Sequence, residues 1–202
     1  MLIALPDNTL VIYAEEFGRQ VLAMLDTSNI RTFEAVGPVY TALIPYATRI
    51  VSVWSGYRPE DRDRIDSLAF VRGIPSVGVE LHVTSLVCGP VVVPGRSACY
   101  ACYQQRMSQH HEHVQAVMRT SAGLPEGFGP AEVAVAAGFI SQAMRDLDQP
   151  HATEHLGGEV RLIDLVRGSL HCHETVAVDR CPRCGSRFSR DRHPTTALEA
   201  LI

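Results

Sequence analysis

The 202-residue chain has no apolar run long enough to cross a bilayer, no GxxxxGKS phosphate loop, no internal repeat and no low-complexity segment. The first absence excludes a helical membrane span, and the second removes the commonest nucleotide signature. Charge of one sign is also lacking. Eighteen Lys and Arg stand against 22 Asp and Glu, for a net charge of -4, so no general polyanion-binding surface is expected. The opening residues, MLIALPDNTLVIYAEEFG, lack a basic segment and turn acidic early, so no secretory signal is expected and the chain reads as cytoplasmic. In a reducing compartment, paired CxxC motifs point to metal rather than to disulfides.

What is present is a strand–helix alternation. Residues 9–13, TLVIY, form a short β-branched apolar run, and EEFGRQVLAMLDT after it carries Phe17, Val21, Leu22 and Leu25 at the spacing of one helix face. Strands are expected at 32–36 and 49–54. A helix should follow, with Ile65, Leu68, Ala69 and Arg72 on one face and Gly73 as its stop. Residues 75–93 predict one or two strands with a turn near Gly89-Pro90. This is the pattern of an α/β Rossmann-like sheet wound with crossover helices. Beyond residue 97 the chain predicts a polar, His-rich helix past Cys102, a small-residue helix over 132–147 and a hairpin turning at Gly168-Ser169. A single domain over 1–202 is expected: a degenerate Rossmann-like half (1–96), a helical insert, hairpin and knuckles (97–190) and a tail (191–202).

The motif with the sharpest chemistry is the pair Cys99-Tyr-Ala-Cys102 and Cys181-Pro-Arg-Cys184-Gly. Two residues between thiolates allow both sulfurs to face one tetrahedral Zn²⁺, and two such knuckles supply four ligands. A shell filled by four thiolates leaves no open position, so Cys99, Cys102, Cys181 and Cys184 predict a structural zinc. A thioredoxin-like pair would use one CxxC and leave the other unexplained. Cys88 lies in an apolar run and reads as core. In His171-Cys172-His173, strand alternation sends the two histidines to one face and Cys172 to the other. Exposed histidines are the plainer reading there, with a second metal or a reactive thiol as rivals. His110, His111 and His113 read as a solvated helix face, and Arg180, Arg183, Arg187, Arg190 and Arg192 as a solvated basic surface.

In nucleotide-binding α/β proteins a Gly-rich turn after the first strand lets phosphate approach the helix N-terminus. Here that turn reads Ala14-Glu15-Glu16-Phe17-Gly18. One glycine remains, and two carboxylates stand where phosphate would come, so like-charge repulsion and bulk oppose it. Glu15 and Glu16 read as first-turn carboxylates favoured by the helix dipole, not as an acid–base pair.

The degenerate Rossmann start, Gly73-Ile74-Pro75, then C-G-P-V-V-V-P-G-R-S-A-C-Y-A-C (88–102) and finally C-P-R-C-G together resemble the ThiF-like, ubiquitin-activating-type superfamily. Within it the sequence is most similar to the partner proteins of YcaO enzymes in azoline-forming peptide biosynthesis, over about residues 9–188. The resemblance implies a zinc held by Cys99, Cys102, Cys181 and Cys184, frequent dimerisation, and a homo- or hetero-oligomer with a YcaO-type enzyme and a precursor peptide. Adenylating members of the superfamily carry a glycine-rich turn and an Asp after the third strand. This chain reads Val53-Trp54-Ser55-Gly56-Tyr57 at the second place. The expectation is therefore a non-catalytic, zinc-containing cyclodehydratase partner with no catalytic or cofactor-binding residues, no ATP, no nucleic acid and no membrane. The alternative is an adenylating enzyme with an unusual turn. The azoline-forming partners usually begin with a winged-helix peptide-recognition domain, for which an opening strand at residue 9 leaves no room.

Overall fold

The computed structural model describes residues 2–110, 127–148 and 157–185. Seven strands form one sheet in the order β4-β2-β5-β6-β7-β8-β9. They are β2 (Thr9–Tyr13), β4 (Arg31–Glu34), β5 (Arg49–Ser55), β6 (Ser76–Leu81), β7 (Ser85–Cys88), β8 (Gly157–Asp164) and β9 (Ser169–Val176). The first four in spatial order run parallel and the last three antiparallel. The parallel centre is apolar because both of its faces are covered: β2 is TLVIY, and its first four residues are buried. A two-residue pair, β1 (Ile3–Ala4) with β3 (Leu25–Asp26), lies apart from the main sheet.

Helices α1 (Glu15–Ala23) and α4 (Pro130–Asp148) pack on one face of the sheet. Phe17 and Val21 meet Val11, Val51 and Val53 there, while Ala136, Ala137 and Ile140 lie over Val77, Val79 and Leu86. Helix α2 (Pro59–Arg72) covers the other face with Ile65 and Ala69 against Leu10, Ile12, Ile50 and Trp54. Its N-terminus has Pro59 in the first turn, and Gly73 ends it in the left-handed region at φ 67°. The buried residues of α2 are Asp61, Arg62, Ile65, Asp66 and Ala69, whereas the sequence pattern suggested Leu68 and Arg72 beside Ile65 and Ala69.

Other differences are local. Strand β4 ends at Glu34, two residues short of the expected Val36. The reversal in the 75–93 stretch falls at 82–84, closed by the His82 N–H donating to the Ser85 carbonyl at 2.7 Å. Gly89-Pro90, a cis bond, instead ends β7. Helix α3 (Tyr100–His110) begins before Cys102 rather than after it, which places Cys102 in its first turn. His111, His113, Arg187, Arg190, Arg192 and the tail from 191 lie outside the described residues, and no described helix is long and apolar enough to cross a membrane.

Candidate functional site

Cys99 and Cys102 flank the start of α3, and Cys181 and Cys184 follow β9. The hairpin of β8 and β9 thus carries the second knuckle back to the first, although Cys181 stands 82 positions after Cys99. All four side chains are buried, and their sulfurs lie within 4.8 Å of one another. Cys99–Cys102, Cys99–Cys181 and Cys102–Cys184 are separated by 3.8, 3.6 and 3.4 Å. A tetrahedron of sulfurs about 2.3 Å from a zinc ion has edges of about 3.8 Å, so the cluster fits that ion with little movement. The Val178 N–H donates to Cys102 Sγ at 3.3 Å, and the Gly185 N–H closes the knuckle on the Cys181 carbonyl at 2.8 Å. Burial pushes the Cys102 thiol up to about 11, and Cys99 rises further through its contact with Cys184 and through burial. Unliganded, Cys99 and Cys102 hold their protons, and zinc binding would release them. No other group of three or more candidate ligands occurs among the described residues. His171 and His173 stack at 6.0 Å on exposed β9, and the reading of them as exposed strand histidines matches that geometry.

The second knuckle is fastened to the sheet by a residue the sequence pattern placed in solvent. Arg183, between Cys181 and Cys184, donates to Asp63 at 2.7 and 3.0 Å and to Asp66 at 2.9 Å. Asp66 is fully buried, and it also accepts from the Tyr100 N–H at the start of α3 (3.2 Å) and from Ser76 Oγ on β6 (3.2 Å). One carboxylate thereby joins the sheet, α2, the first knuckle and the second. The expected solvated basic cluster is corrected at this member, since only Arg180 of the described pair lies in solvent, its side chain 91% exposed.

The strand order reverses between β2 and β5, and open α/β sheets place ligands in the crevice at the carboxyl ends of such a pair. Here β2 passes into α1 through Ala14 alone. The Ala14 N–H donates to the Val53 carbonyl at 3.0 Å, and Glu15 opens the helix at φ 63°. Its carboxylate accepts from Ser55 Oγ, the last residue of β5, at 2.8 Å, bridging the two strands at the switch point. Glu15 is therefore more than a dipole-favoured carboxylate: it ties α1 to β5. Glu16 points elsewhere, to Gln20 at 3.0 Å and to Arg19. Gly18 retains the helix–strand role of a Rossmann glycine, because a Cβ there would stand 2.7 Å from the Val53 carbonyl oxygen. The turn thus holds a glycine where α1 and β5 approach closely.

On the opposite face, β6 alternates Ser76, Gly78 and Glu80 toward α2, with His82 continuing the row. Gly78 leaves the space that Arg62 fills; a Cβ there would lie 2.5 Å from Arg62 Nε. Arg62 is wholly buried, stacks 5.2 Å over the Tyr100 ring and donates to the Pro90 carbonyl at 3.3 Å. His82 Nε2 lies 3.5 Å from Glu80 Oε2. Burial, reinforced by the Glu80 charge, raises the Tyr100 and Tyr103 phenols well above their ordinary value. Ser52, Trp54, Arg62, Glu80 and His82 all keep buried polar atoms without a protein partner, a composition suited to ordered water. Alternation in PSVGVELHV could have located this seam from the sequence. Tyr57, two residues past the end of β5, donates its hydroxyl to Gln104 at 3.1 Å. Cys88 is buried beneath α4 as expected for a core thiol, and burial pushes it up to about 12. Cys172 is exposed on β9.

The sequence matches no protein-family model and no curated protein. Solved structures share its fold. The heterocyclase TruD superposes with a TM-score of 0.61 at 18% identity, over 96% of this chain and 32% of its own. A heterocyclase in complex with substrate and cofactor gives 0.60 at 14%, over 89% and 26%. E. coli MccB, described as a microcin C7 biosynthetic enzyme, gives 0.58 at 15%, over 90% and 66%. A chain of the E. coli microcin synthetase McbBCD complex is similar at 0.58 and 14%, over 87% and 68%. This chain therefore spans about a quarter to a third of the length of the two heterocyclases. The likeness shows a fold shared with these heterocyclases and microcin-biosynthesis proteins.

Proposed function

We propose that this chain is a zinc-stapled, ThiF-like subunit that docks a peptide-modifying enzyme of the YcaO azoline-forming type and transfers no nucleotide itself. The observation that carries this reading is the Glu15 carboxylate bound to Ser55 across the β2–β5 switch point. A phosphate brought to about 5 Å from that carboxylate meets a repulsion of about 3 kcal/mol per pair of unit charges at an effective dielectric of 20. That corresponds to more than a hundredfold in affinity. The single-residue passage from β2 to α1 provides no glycine-rich loop to wrap a phosphate at the helix N-terminus. Zinc, held by Cys99, Cys102, Cys181 and Cys184, supplies folding energy there and no reactive position.

The docking role is supported by the fold shared with heterocyclases and with a chain of the McbBCD complex. Its test is co-expression with a YcaO-type enzyme and precursor peptide from the same source, followed by affinity isolation through this chain. Recovery of the enzyme in stoichiometric amount, with azoline formation dependent on both proteins, supports the role. A modifying enzyme that works at full rate alone sinks it.

A second reading, an adenylating enzyme with an unusual turn, is favoured by the likeness to MccB, which this chain spans to about two thirds. Pyrophosphate exchange with ATP and a peptide carboxylate separates the two. Exchange above background by the purified chain replaces the docking reading with this one.

A further inference from the structure

Glu80, near the carboxyl end of β6, is only 7% exposed, and half of its carboxylate is unused. Oε2 lies 3.5 Å from His82 Nε2, while Oε1 has no protein partner. His82, also buried, keeps Nδ1 without one. A buried carboxylate oxygen left unpaired is costly, so this acid calls for a donor. The protein's own nearby cation is engaged elsewhere. Arg62 is seated against Gly78, two residues earlier on β6, where it lies over the Tyr100 ring and donates to the Pro90 carbonyl. No hydrogen bond joins it to Glu80 Oε1.

The groups around Glu80 close on one another. The His82 ring stands 6.3 Å from that of Tyr57. The Tyr57 hydroxyl donates to Gln104 Oε1 at 3.1 Å, and Gln104 Nε2 donates to the Tyr100 hydroxyl. The Tyr100 ring in turn lies 5.9 Å from that of Tyr103. The Glu80 charge reaches the phenols of both Tyr100 and Tyr103. Three tyrosine rings and an imidazole thus surround one carboxylate. Tyr57, Tyr103 and Gln104 are half-buried, which leaves an approach from the carboxyl ends of β5 and β6. Open α/β sheets take their ligands at that end. The cluster is separate from the β2–β5 switch point that Glu15 and Ser55 bridge.

We propose that this cluster binds an organic cation, an alkylammonium or guanidinium group that donates to Glu80 Oε1 and lies against the Tyr57 and Tyr103 rings. Aromatic faces attract cations through the ring quadrupole, and more strongly where water is excluded. Charge selects among ligands here. An anion meets the Glu80 carboxylate, a neutral alkyl group leaves Oε1 unpaired, and water satisfies Oε1 without using the aromatic faces. A Lys or Arg side chain of a peptide and a free amine or guanidine present the same chemistry.

The test is a nuclear magnetic resonance titration of the full-length, zinc-loaded chain with n-butylammonium, using 1-butanol and butyrate as neutral and anionic controls. Saturating shifts of tyrosine ring resonances are expected with the cation and with neither control. Glu80→Gln keeps the side-chain shape, and it should weaken binding about tenfold or more at unchanged zinc content. Tyr57→Leu, at the half-buried rim, should weaken it by a smaller factor and provides the readout if Glu80→Gln fails to fold. Nα-acetyl-lysine amide separates the sources: tighter binding than n-butylammonium marks a peptide side chain as the ligand, and equal binding marks a free amine. No saturation by either cation up to about 10 mM, equal shifts with 1-butanol, or cation affinity indifferent to these substitutions overturns the proposal, because water then suffices at Oε1. The zinc site and the docking role stand whichever result is obtained.

Discussion

Replacing Arg183 by alanine removes the cation that lies 2.9 Å from a fully buried carboxylate. Asp66 keeps two donors, Ser76 Oγ and the Tyr100 N–H, but loses its only ion-pair partner among the described residues. Stripping one member from a buried pair typically costs about 3–5 kcal/mol, since the survivor is left charged and desolvated. The two remaining hydrogen bonds hold the effect to the lower end, about 3 kcal/mol. For a domain of this size that lowers the melting temperature by roughly 10 °C. Asp63 provides the internal comparison: its side chain is 44% exposed, so Asp63→Asn should cost less than about 1 kcal/mol although it also pairs with Arg183. The assay is denaturant unfolding of zinc-loaded protein followed by circular dichroism, with zinc content measured alongside. Asp66→Asn combined with Arg183→Ala should recover part of the loss, because the unpaired charge is gone. The reasoning is refuted if Arg183→Ala lies within about 0.5 kcal/mol of wild type, the range of an ordinary surface substitution, or if Asp63→Asn costs as much.

Three further outcomes follow from the geometry. Cys181→Ser should lower zinc content to well below one ion per chain, and chelation of wild-type zinc should melt the knuckles, both read by metal analysis and near-ultraviolet dichroism. Cys88, whose thiol burial moves from 9.0 up to about 12, favours the native state fully below pH 9. That contribution is lost as pH rises from 9 through 12, at about 1.4 kcal/mol per unit, and Cys88→Val should flatten this alkaline slope in urea titrations. Gly18→Ala forces a Cβ to within 2.7 Å of the Val53 carbonyl, so α1 must move off β5. A loss of about 1–3 kcal/mol is expected, and a neutral substitution would show that the close approach is not required.

The parallel core was legible because its residues obey one simple rule each. Thr9–Tyr13 is rich in apolar and β-branched residues because both faces are covered, and Gly73 stops α2 where a positive φ is required. The four-cysteine cluster was legible from spacing alone. The β1–β3 pair was not, since two residues carry no period. The reversal at 82–84 was hidden because Gly89-Pro90 is the stronger turn signal by composition, yet it serves as the exit of β7. Arg62 and Asp66 show a different limit. They occupy the i and i+4 positions of the buried α2 stripe, where charge argues for a surface, and only tertiary partners explain them: Tyr100 and Pro90 for one, Arg183, Ser76 and Tyr100 for the other. Arg183 was misplaced for the same reason, since its neighbours in sequence are basic and its partners lie over a hundred residues away.

The most direct test of the proposed non-catalytic role is calorimetric titration of the purified, zinc-loaded chain with Mg-ATP. A crevice bridged by Glu15 and Ser55 predicts no saturable heat up to about 1 mM nucleotide, where binding free energy would be only about 4 kcal/mol. Saturable binding in the micromolar range, with a dissociation constant weakened by a Ser55→Asp substitution, would contradict it and place nucleotide chemistry in this chain.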